Sequence, residues 1–216
     1  MGHALVIGAS GGIGAALADT LGDRHDVTRL SRSADGLDVT DERSVEAAMR
    51  GLGVPVDLCF VTTGILAPPG AAPEKSLDAI DPAAMARVFA VNAIGPALVL
   101  KHLAPRLAPG ARVGVLTARV GSIGDNRLGG WHAYRMAKAA ANMIVRGAAI
   151  EIARRLKGSV VAALHPGTVE TPFTEGYKAA KVPAGEAAAN LVRVLEGLAP
   201  SDSGGFFDYA GRRIEW

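Results

Sequence analysis

The chain has 216 residues, of which 49% are hydrophobic and 20% are charged. At about 100 to 200 residues per domain, this length predicts one domain spanning residues 1–216, with a core large enough to fold without metal or disulfides. The 23 Lys and Arg nearly balance the 21 Asp and Glu, leaving a formal charge of +2. This balance argues against a strongly basic nucleic-acid-binding protein.

The single cysteine, Cys59, excludes an intramolecular disulfide and is typical of a reducing compartment, so we expect a cytoplasmic protein. The first residues lack the order of a signal peptide. The longest apolar runs are broken by polar residues, glycines or prolines, among them Asn92 and Pro96, so no membrane span is predicted. The five histidines lack metal-ligand spacing, and no metal site is expected.

Apolar runs of strand length alternate along the chain with stretches of helical period. Strands are predicted at residues 4–8, 25–30, 56–62, 112–117, 160–164 and 205–207. Helices are predicted at residues 15–21, 41–52, 82–92, 97–107, 134–156 and 185–198. Such alternation predicts an α/β fold: a single-domain, Rossmann-like, doubly wound parallel sheet of about seven strands with helices on both faces.

A glycine-rich turn joins the first predicted strand to the first predicted helix. Gly8, Gly12 and Gly14 frame it, and Ser10 and Ile13 lie between them. Glycines at this position allow a sharp turn and let a pyrophosphate approach the helix N-terminus, where free N–H groups favour anions. A tight turn without a ligand is the alternative.

The second strand is predicted to end near Leu30, where nucleotide-binding folds place the group that contacts the adenosine ribose. Ser31 and Arg32 follow, where an NAD-binding chain usually has an acid. A hydroxyl and a guanidinium suit a 2′-phosphate, which favours NADP over NAD. The alternative is that Arg32 is an ordinary solvated surface residue.

Tyr134 and Lys138 are four residues apart at the start of a predicted helix, so their side chains share one face. A phenol exchanges protons poorly at neutral pH, and a nearby ammonium favours the phenolate. The pair is therefore a candidate acid/base for an alcohol or carbonyl oxygen.

Five ordered segments together resemble the short-chain dehydrogenase/reductase family, in particular its branch of C-factor and sniffer-type carbonyl reductases. The resemblance covers nearly the whole chain. The segments are residues 8–14, Leu37-Asp38-Val39-Thr40, Val91-Asn92, Tyr134-Arg135-Met136-Ala137-Lys138 and His165-Pro166-Gly167-Thr168-Val169-Glu170-Thr171-Pro172.

The resemblance implies a role for each matching residue. Tyr134 would be the acid/base, Lys138 would bind the nicotinamide ribose and tune Tyr134, and Asn92 would hold a water of a proton relay. Asp38 and Val39 would contact the adenine, with Gly64 at the cofactor edge. The nicotinamide would be lined by Pro166, Gly167, Val169 and Thr171.

Two positions depart from the family pattern. Ala118 stands where the family has a serine that donates a hydrogen bond to the substrate carbonyl. Ser122 is the candidate substitute, and Thr117 is a poorer one because strand alternation points it the other way. Residues 61–64 read Val-Thr-Thr-Gly where the family shows Asn-Asn-Ala-Gly. Thr62 could supply a hydrogen bond there.

We therefore expect an NADP(H)-dependent oxidoreductase that interconverts a small-molecule carbonyl and an alcohol, with no nucleic-acid partner. The alternative is a catalytically weak or inactive dinucleotide-binding regulatory or signalling protein of the same fold, which Ala118 and the Thr62-Thr63 pair would favour. The Ala- and Leu-rich helices near residues 96–107 and 137–153 suggest, by analogy with the family, a homo-oligomer.

Overall fold

The computed structural model describes residues 1–216 and contains one six-stranded, fully parallel sheet. The strands lie in the order β2-β1-β3-β4-β5-β6. Their bounds are β1 Gly2–Ile7, β2 His25–Leu30, β3 Val56–Val61, β4 Leu107–Leu116, β5 Val160–His165 and β6 Phe206–Asp208.

Helices cover both faces of the sheet, as predicted. Their bounds are α1 Gly12–Gly22, α2 Arg32–Asp35, α3 Glu42–Arg50, α4 Pro82–Phe89, α5 Gly95–Leu103, α6 His132–Arg155 and α7 Ala184–Gly197. Buried side chains of α3, α5 and α6 pack on one face, and those of α1 and α7 pack on the other.

The central strands are apolar on both sides because each face meets a helical layer. In β1, Leu5 and Ile7 enter one core, whereas Ala4 and Val6 enter the opposite one. All four side chains are fully buried. This explains why these strands read as unbroken hydrophobic runs in the sequence.

The six strands are those predicted individually from the sequence, within the approximate count of seven, and residues 31–40 form no further strand. Ser31 opens the short helix α2, and the Asp38 carboxylate accepts hydrogen bonds from the backbone and hydroxyl of Thr40. These local turns leave no extended run to pair with β2. Consequently β2 is an edge strand and is only partly buried.

The predicted helices 82–92 and 97–107 form one continuous helical segment instead of two. A π turn, Ala90–Ile94, joins α4 to α5. The longer segment Pro82–Arg106 has the length and apolar composition of a membrane span. In the fold, however, its residues Val88, Asn92 and Val99 are buried within the protein.

Candidate active site

Tyr134 and Lys138 lie on the buried side of the first turns of α6, as the sequence predicts. Their exposed fractions are 7% and 3%. The Lys138 Nζ lies 5.7 Å from the centroid of the Tyr134 ring and donates a 2.9 Å hydrogen bond to the Leu116 carbonyl at the end of β4. The phenol and the ammonium therefore meet at the carboxyl edge of the sheet, where α/β sheets bind ligands.

Asn92 joins this pair from the π turn between α4 and α5. Its side-chain amide donates to the Ile65 carbonyl at 2.7 Å and accepts from the Ile65 N–H at 2.9 Å. A Cβ on Gly64 would lie 2.9 Å from Asn92 Oδ1 and 3.5 Å from Lys138 Nζ. Asn92, Gly64 and Lys138 are thus in close proximity, and the π turn is a feature that often marks functional sites.

Burial is the main cause of the pKa shifts of Tyr134 and Lys138. Desolvation raises the pKa of Tyr134, with a smaller contribution from Tyr177, and lowers the pKa of Lys138 to about 8. Desolvation is the largest cause of both shifts, and the shift of Tyr134 is opposite in direction to the lowering that a nearby ammonium would produce. Tyr134 is accordingly protonated at neutral pH.

Aromatic side chains cover Tyr134 on the outer side. The Trp131 ring meets it edge-on at 6.4 Å between centroids, and the Phe173 ring lies 5.9 Å away. Tyr177 packs against Trp131 at 5.6 Å. These rings form an apolar wall over the phenol, suited to an organic substrate.

Glu74 is a buried residue of this region that sequence reasoning missed. Its backbone carbonyl accepts from Trp131 N–H, and its carboxylate accepts from Ala133 N–H at 3.4 Å, in the first turn of α6. Trp131 itself has φ 51° and offers no cap. Glu74 therefore substitutes for an N-cap from 59 residues away in the chain, a partnership that no local pattern could reveal.

The three candidate carbonyl-binding positions lie in different surroundings. Ala118 packs against the cluster that contains Tyr134. Ser122 is 2% exposed, and its oxygen accepts a 3.0 Å hydrogen bond from Asp125 N–H, so its proton is free to be donated. The buried Thr117 hydroxyl has no hydrogen-bond partner.

The glycine turn leads directly into the N-terminus of α1. Gly8 has φ 90°, and a Cβ on Gly14 would overlap the Gly8 carbonyl oxygen, so both positions require glycine. The N-cap residue Gly11 makes no side-chain cap, and the first turn has no acid. Ser10 and Gly12 are exposed, so the helix N–H groups are available to a pyrophosphate.

Thr62 compensates for the missing family asparagine. Its hydroxyl lies 2.8 Å from the Ile7 carbonyl, to which it donates, and 3.2 Å from the Gly8 carbonyl. The hydroxyl therefore ties the end of β3 to the glycine turn. Thr63 has a buried hydroxyl without a partner.

The residues expected at the adenosine end lie together after β2. Ser31 is engaged locally: its N–H and hydroxyl donate to the Asp35 carboxylate at 2.8 and 3.1 Å. Arg32 is exposed and forms no ion pair. The hydrogen bonds from Thr40 hold the pKa of Asp38 below its usual value.

The segment after β5 approaches the glycine turn from the other side. A Cβ on Gly12 would lie 2.6 Å from Thr171 Cγ2. Val169 is buried and forms a bridge with Val182, and Gly167 has φ 80° beside the Tyr209 ring. Thr171, at the end of the Pro166–Thr171 stretch, thus lies next to the N-terminus of α1. Ile13 packs against the core beneath that turn.

Comparison with known proteins gives matches over most of the chain. Residues 13–197 match the family model described as enoyl-(acyl carrier protein) reductase. The chain is 43% identical to the C-signal of Myxococcus xanthus over 143 residues, which is 65% of this chain and 84% of that protein. It is 33% identical to 1-hydroxy-2-glutathionyl-2-methyl-3-butene dehydrogenase of Rhodococcus sp. (strain AD45), over the whole of both chains.

A solved structure shares the whole fold. NADPH-bound carbonyl reductase from chicken fatty liver superimposes with a TM-score of 0.83, at 24% identity, over 99% of this chain and 98% of that one. This likeness shows the fold, while the family match and the full-length relative define the family. The chain belongs to the short-chain dehydrogenase/reductase family of NAD(P)-dependent oxidoreductases.

Proposed function

We propose that the protein interconverts a carbonyl and an alcohol with NADP(H), using Tyr134 as the acid/base. The single observation that supports this most is the buried approach of Tyr134 and Lys138 at the carboxyl edge of the sheet, with Asn92 and Gly64 beside them. Few structural roles would require a lysine and a tyrosine to be buried together without a carboxylate.

The residues present fit a dinucleotide. The uncapped N-terminus of α1 suits the pyrophosphate, and Pro166, Gly167, Val169 and Thr171 would line the nicotinamide. The unpaired Arg32 suits a 2′-phosphate, so NADP is the proposed cofactor and NAD the less favoured one. When bound, the cofactor supplies the hydride.

In the direction of carbonyl reduction, Tyr134 donates the proton that converts the developing alkoxide to an alcohol. The raised pKa of the phenol keeps this proton in place at neutral pH. Lys138 orients the cofactor ribose and favours the phenolate that remains. Asn92, held rigidly by its two hydrogen bonds to Ile65, fixes the π turn beside Lys138 and anchors the relay that returns a proton.

Ser122 is the proposed donor to the substrate carbonyl. Its hydroxyl accepts from Asp125 N–H and still has its own proton to donate. Ala118, which packs against the Tyr134 cluster, can only make apolar contact.

The decisive experiment is Tyr134→Phe, assayed by NADPH and NADH oxidation with a panel of aldehydes and ketones. We expect the wild type to turn over with NADPH preferred, and the variant to lose at least 100-fold in kcat because its proton donor is gone. Tyr177→Phe is the matched control and should stay close to wild type. Full activity of Tyr134→Phe would contradict the assignment.

A regulatory role remains the second candidate, because Ala118 removes a hydroxyl from the pocket and a relative bears the name C-signal. Tight NADPH binding by calorimetry, without turnover across the whole panel, would favour it over the enzyme.

Self-association is also proposed. Met136, Met143 and Ile150 form an exposed apolar stripe along α6, with exposed fractions of 38%, 72% and 44%. A monomeric protein rarely leaves such a stripe in water. A cytoplasmic location stays an expectation.

A further inference from the structure

A cationic cavity of about 380 Å³ lies at the carboxyl ends of β4, β5 and β6. Its charged lining residues are Arg119, Lys181, Asp208 and Arg212, so three cations face one carboxylate. The volume is sufficient for part of a small organic molecule. The charge balance favours an anion in this cavity.

Asp208 acts as an anchor for the neighbouring cations. It is 1% exposed, and its oxygens accept hydrogen bonds from Ala210 N–H, Arg212 N–H and the Arg212 guanidinium at 2.9 to 3.0 Å. The Arg119 guanidinium lies 3.6 Å from Oδ2, the same carboxylate oxygen that Arg212 contacts. Asp208 therefore holds the Arg212 guanidinium and lies beside that of Arg119, and its single negative charge leaves the cations in excess.

The cations retain unused donor capacity. A guanidinium has five N–H groups, of which the contacts of Arg212 with Asp208 use only some. Lys181 donates to a backbone carbonyl, that of Glu175, and to no carboxylate. Arg119 also pairs with Asp125, yet three cations still face two carboxylates when Asp125 is included.

His165 adds an imidazole to the cavity. Burial lowers its pKa to about 4, so the ring is neutral at physiological pH, and its buried Nδ1 has no partner. A neutral ring with no protein hydrogen bond can donate one to an oxygen anion.

The cavity shares its two supporting segments with the reaction centre. Arg119 directly follows Ala118, which packs against the Tyr134 cluster. Gly167 and Thr168 line the cavity and directly precede Val169. Along both segments, a residue that lines the cavity is therefore bonded directly to a residue of the proposed reaction centre, with consecutive Cα atoms about 3.8 Å apart.

We propose that the substrate carries an acidic group, a carboxylate or a phosphate, which binds among Arg119, Lys181 and Arg212 while its carbonyl lies at Tyr134. This inference rests on the proposed carbonyl–alcohol chemistry. Arginine forks match both anions, so the shared chemistry is that of an oxyanion tail.

The first test compares acidic aldehydes with neutral analogues of similar size in the wild-type protein. The carboxylates are 4-formylbenzoate and 5-(4-formylphenyl)pentanoate against their methyl esters, and the phosphate is 4-formylphenyl phosphate against 4-methoxybenzaldehyde. We expect at least one acid to have about tenfold higher kcat/KM than its neutral partner, mainly through KM. Added salt should reduce this preference. Equal or lower kcat/KM for every acid would overturn the inference.

The second test assigns the preference to the cavity. Lys181→Gln and Arg212→Gln should each cut the acid-to-neutral ratio several-fold while leaving kcat for neutral aldehydes unchanged. Lys178→Gln and Arg213→Gln are matched controls, because both remove one positive charge from the same segments outside the cavity lining. If the acid-to-neutral ratio of kcat/KM falls equally in the cavity variants and in the controls, the preference comes from the overall charge of the protein, and the proposed site is refuted.

A binding measurement separates this inference from the proposed chemistry. Tyr134→Phe, titrated calorimetrically with 4-(hydroxymethyl)benzoate in the presence of NADP, should bind it more tightly than benzyl alcohol, and Lys181→Gln should abolish the difference. If wild type reduces neutral aldehydes but shows no such difference, only the acidic-tail inference fails. If no aldehyde is reduced, the proposed function fails instead.

Discussion

At the scale of single residues, the burial of Tyr134 and Lys138 shifts the pKa of both groups and so affects the protonation state in which the protein rests. A phenol with a raised pKa keeps its proton at neutral pH, so Tyr134 rests in the form that carbonyl reduction would need. With Tyr134 as the proposed acid/base, we expect reduction to proceed at neutral pH, and we expect alcohol oxidation, which needs the phenolate, to require a higher pH.

The pKa of Lys138 gives a pH dependence for reduction. Because this pKa is about 8, the ammonium loses its proton as the pH rises through that value. We expect kcat for aldehyde reduction to be level between about pH 6 and 7 and to fall above pH 8. Stopped-flow measurement of hydride transfer across this range checks it, and a rate that stays level to pH 10 would contradict it.

The same group should affect stability. Its pKa is about 8 when folded and 10.5 as the ordinary value, so the unfolded chain binds the proton more tightly between these values. The free energy of unfolding should rise with pH across this window, by up to about 1.4 kcal/mol per unit from this group. Lys138→Met, which has no such proton, should lack that contribution in urea titrations and provides the control.

The hydroxyl positions near the substrate make a second residue-scale prediction. Ser122→Ala should lower kcat by about 100-fold because one donor to the carbonyl is lost. Ala118→Ser on that background should restore part of the rate, since position 118 packs against the Tyr134 cluster. Thr117→Val is the control and should change little. A large loss in Thr117→Val with none in Ser122→Ala would reverse the assignment.

Much of this residue set was predictable because each signal was local. Tyr134 and Lys138 are one helical turn apart, and Gly8 and Gly14 occupy one turn. The cap that Glu74 provides and the cavity around Asp208 were not predictable. Both join segments distant in the sequence, and no periodicity connects them.

At the scale of elements, the glycine turn combines two different constraints. A Cβ at Gly14 would meet the backbone oxygen of Gly8, which cannot move without breaking the turn. A Cβ at Gly12 would meet the Thr171 side chain, at 2.6 Å from Cγ2 and 3.2 Å from Cβ, and no backbone atom closer than 4.0 Å. Adding a side chain is therefore more costly at Gly14 than at Gly12, although both glycines belong to the same turn.

We predict that Gly14→Ala lowers the free energy of unfolding by about 1–3 kcal/mol and abolishes cofactor binding. Gly11→Ala is the control, since its nearest neighbour would be 3.4 Å away, and it should unfold like wild type. Chemical denaturation and NADPH titration measure both effects. Unchanged stability in Gly14→Ala would show that the turn can adjust.

Strands and helices were predictable in kind and order because burial on both faces leaves unbroken apolar runs. The ends of these elements and the junctions between them depend on tertiary contacts, which the hydrophobic pattern of the sequence does not reveal. The π turn at Ala90–Ile94 joins two predicted helices, and β4 begins at Leu107, five residues before the predicted start.

At the scale of the whole molecule, the stripe on α6 indicates how copies of the chain would meet. Met143 is its most exposed member, at 72%. Met143→Lys should shift the protein toward monomer, because a charge cannot be buried unpaired in an apolar contact. Sedimentation velocity measures the shift, with Val54→Lys as the exposed control outside the stripe. A wild-type protein that is already monomeric at micromolar concentration would contradict the proposal.

The fully enclosed Cys59 on β3 has a practical consequence for measurement. Because it is the only thiol in the chain and lies in the middle of the sheet, an alkylating reagent can reach it only when the interior opens. The rate at which Cys59 is alkylated under native conditions therefore measures how often the folded interior opens. Slower labelling with NADPH present would report ligand-linked stabilisation without any assay of turnover.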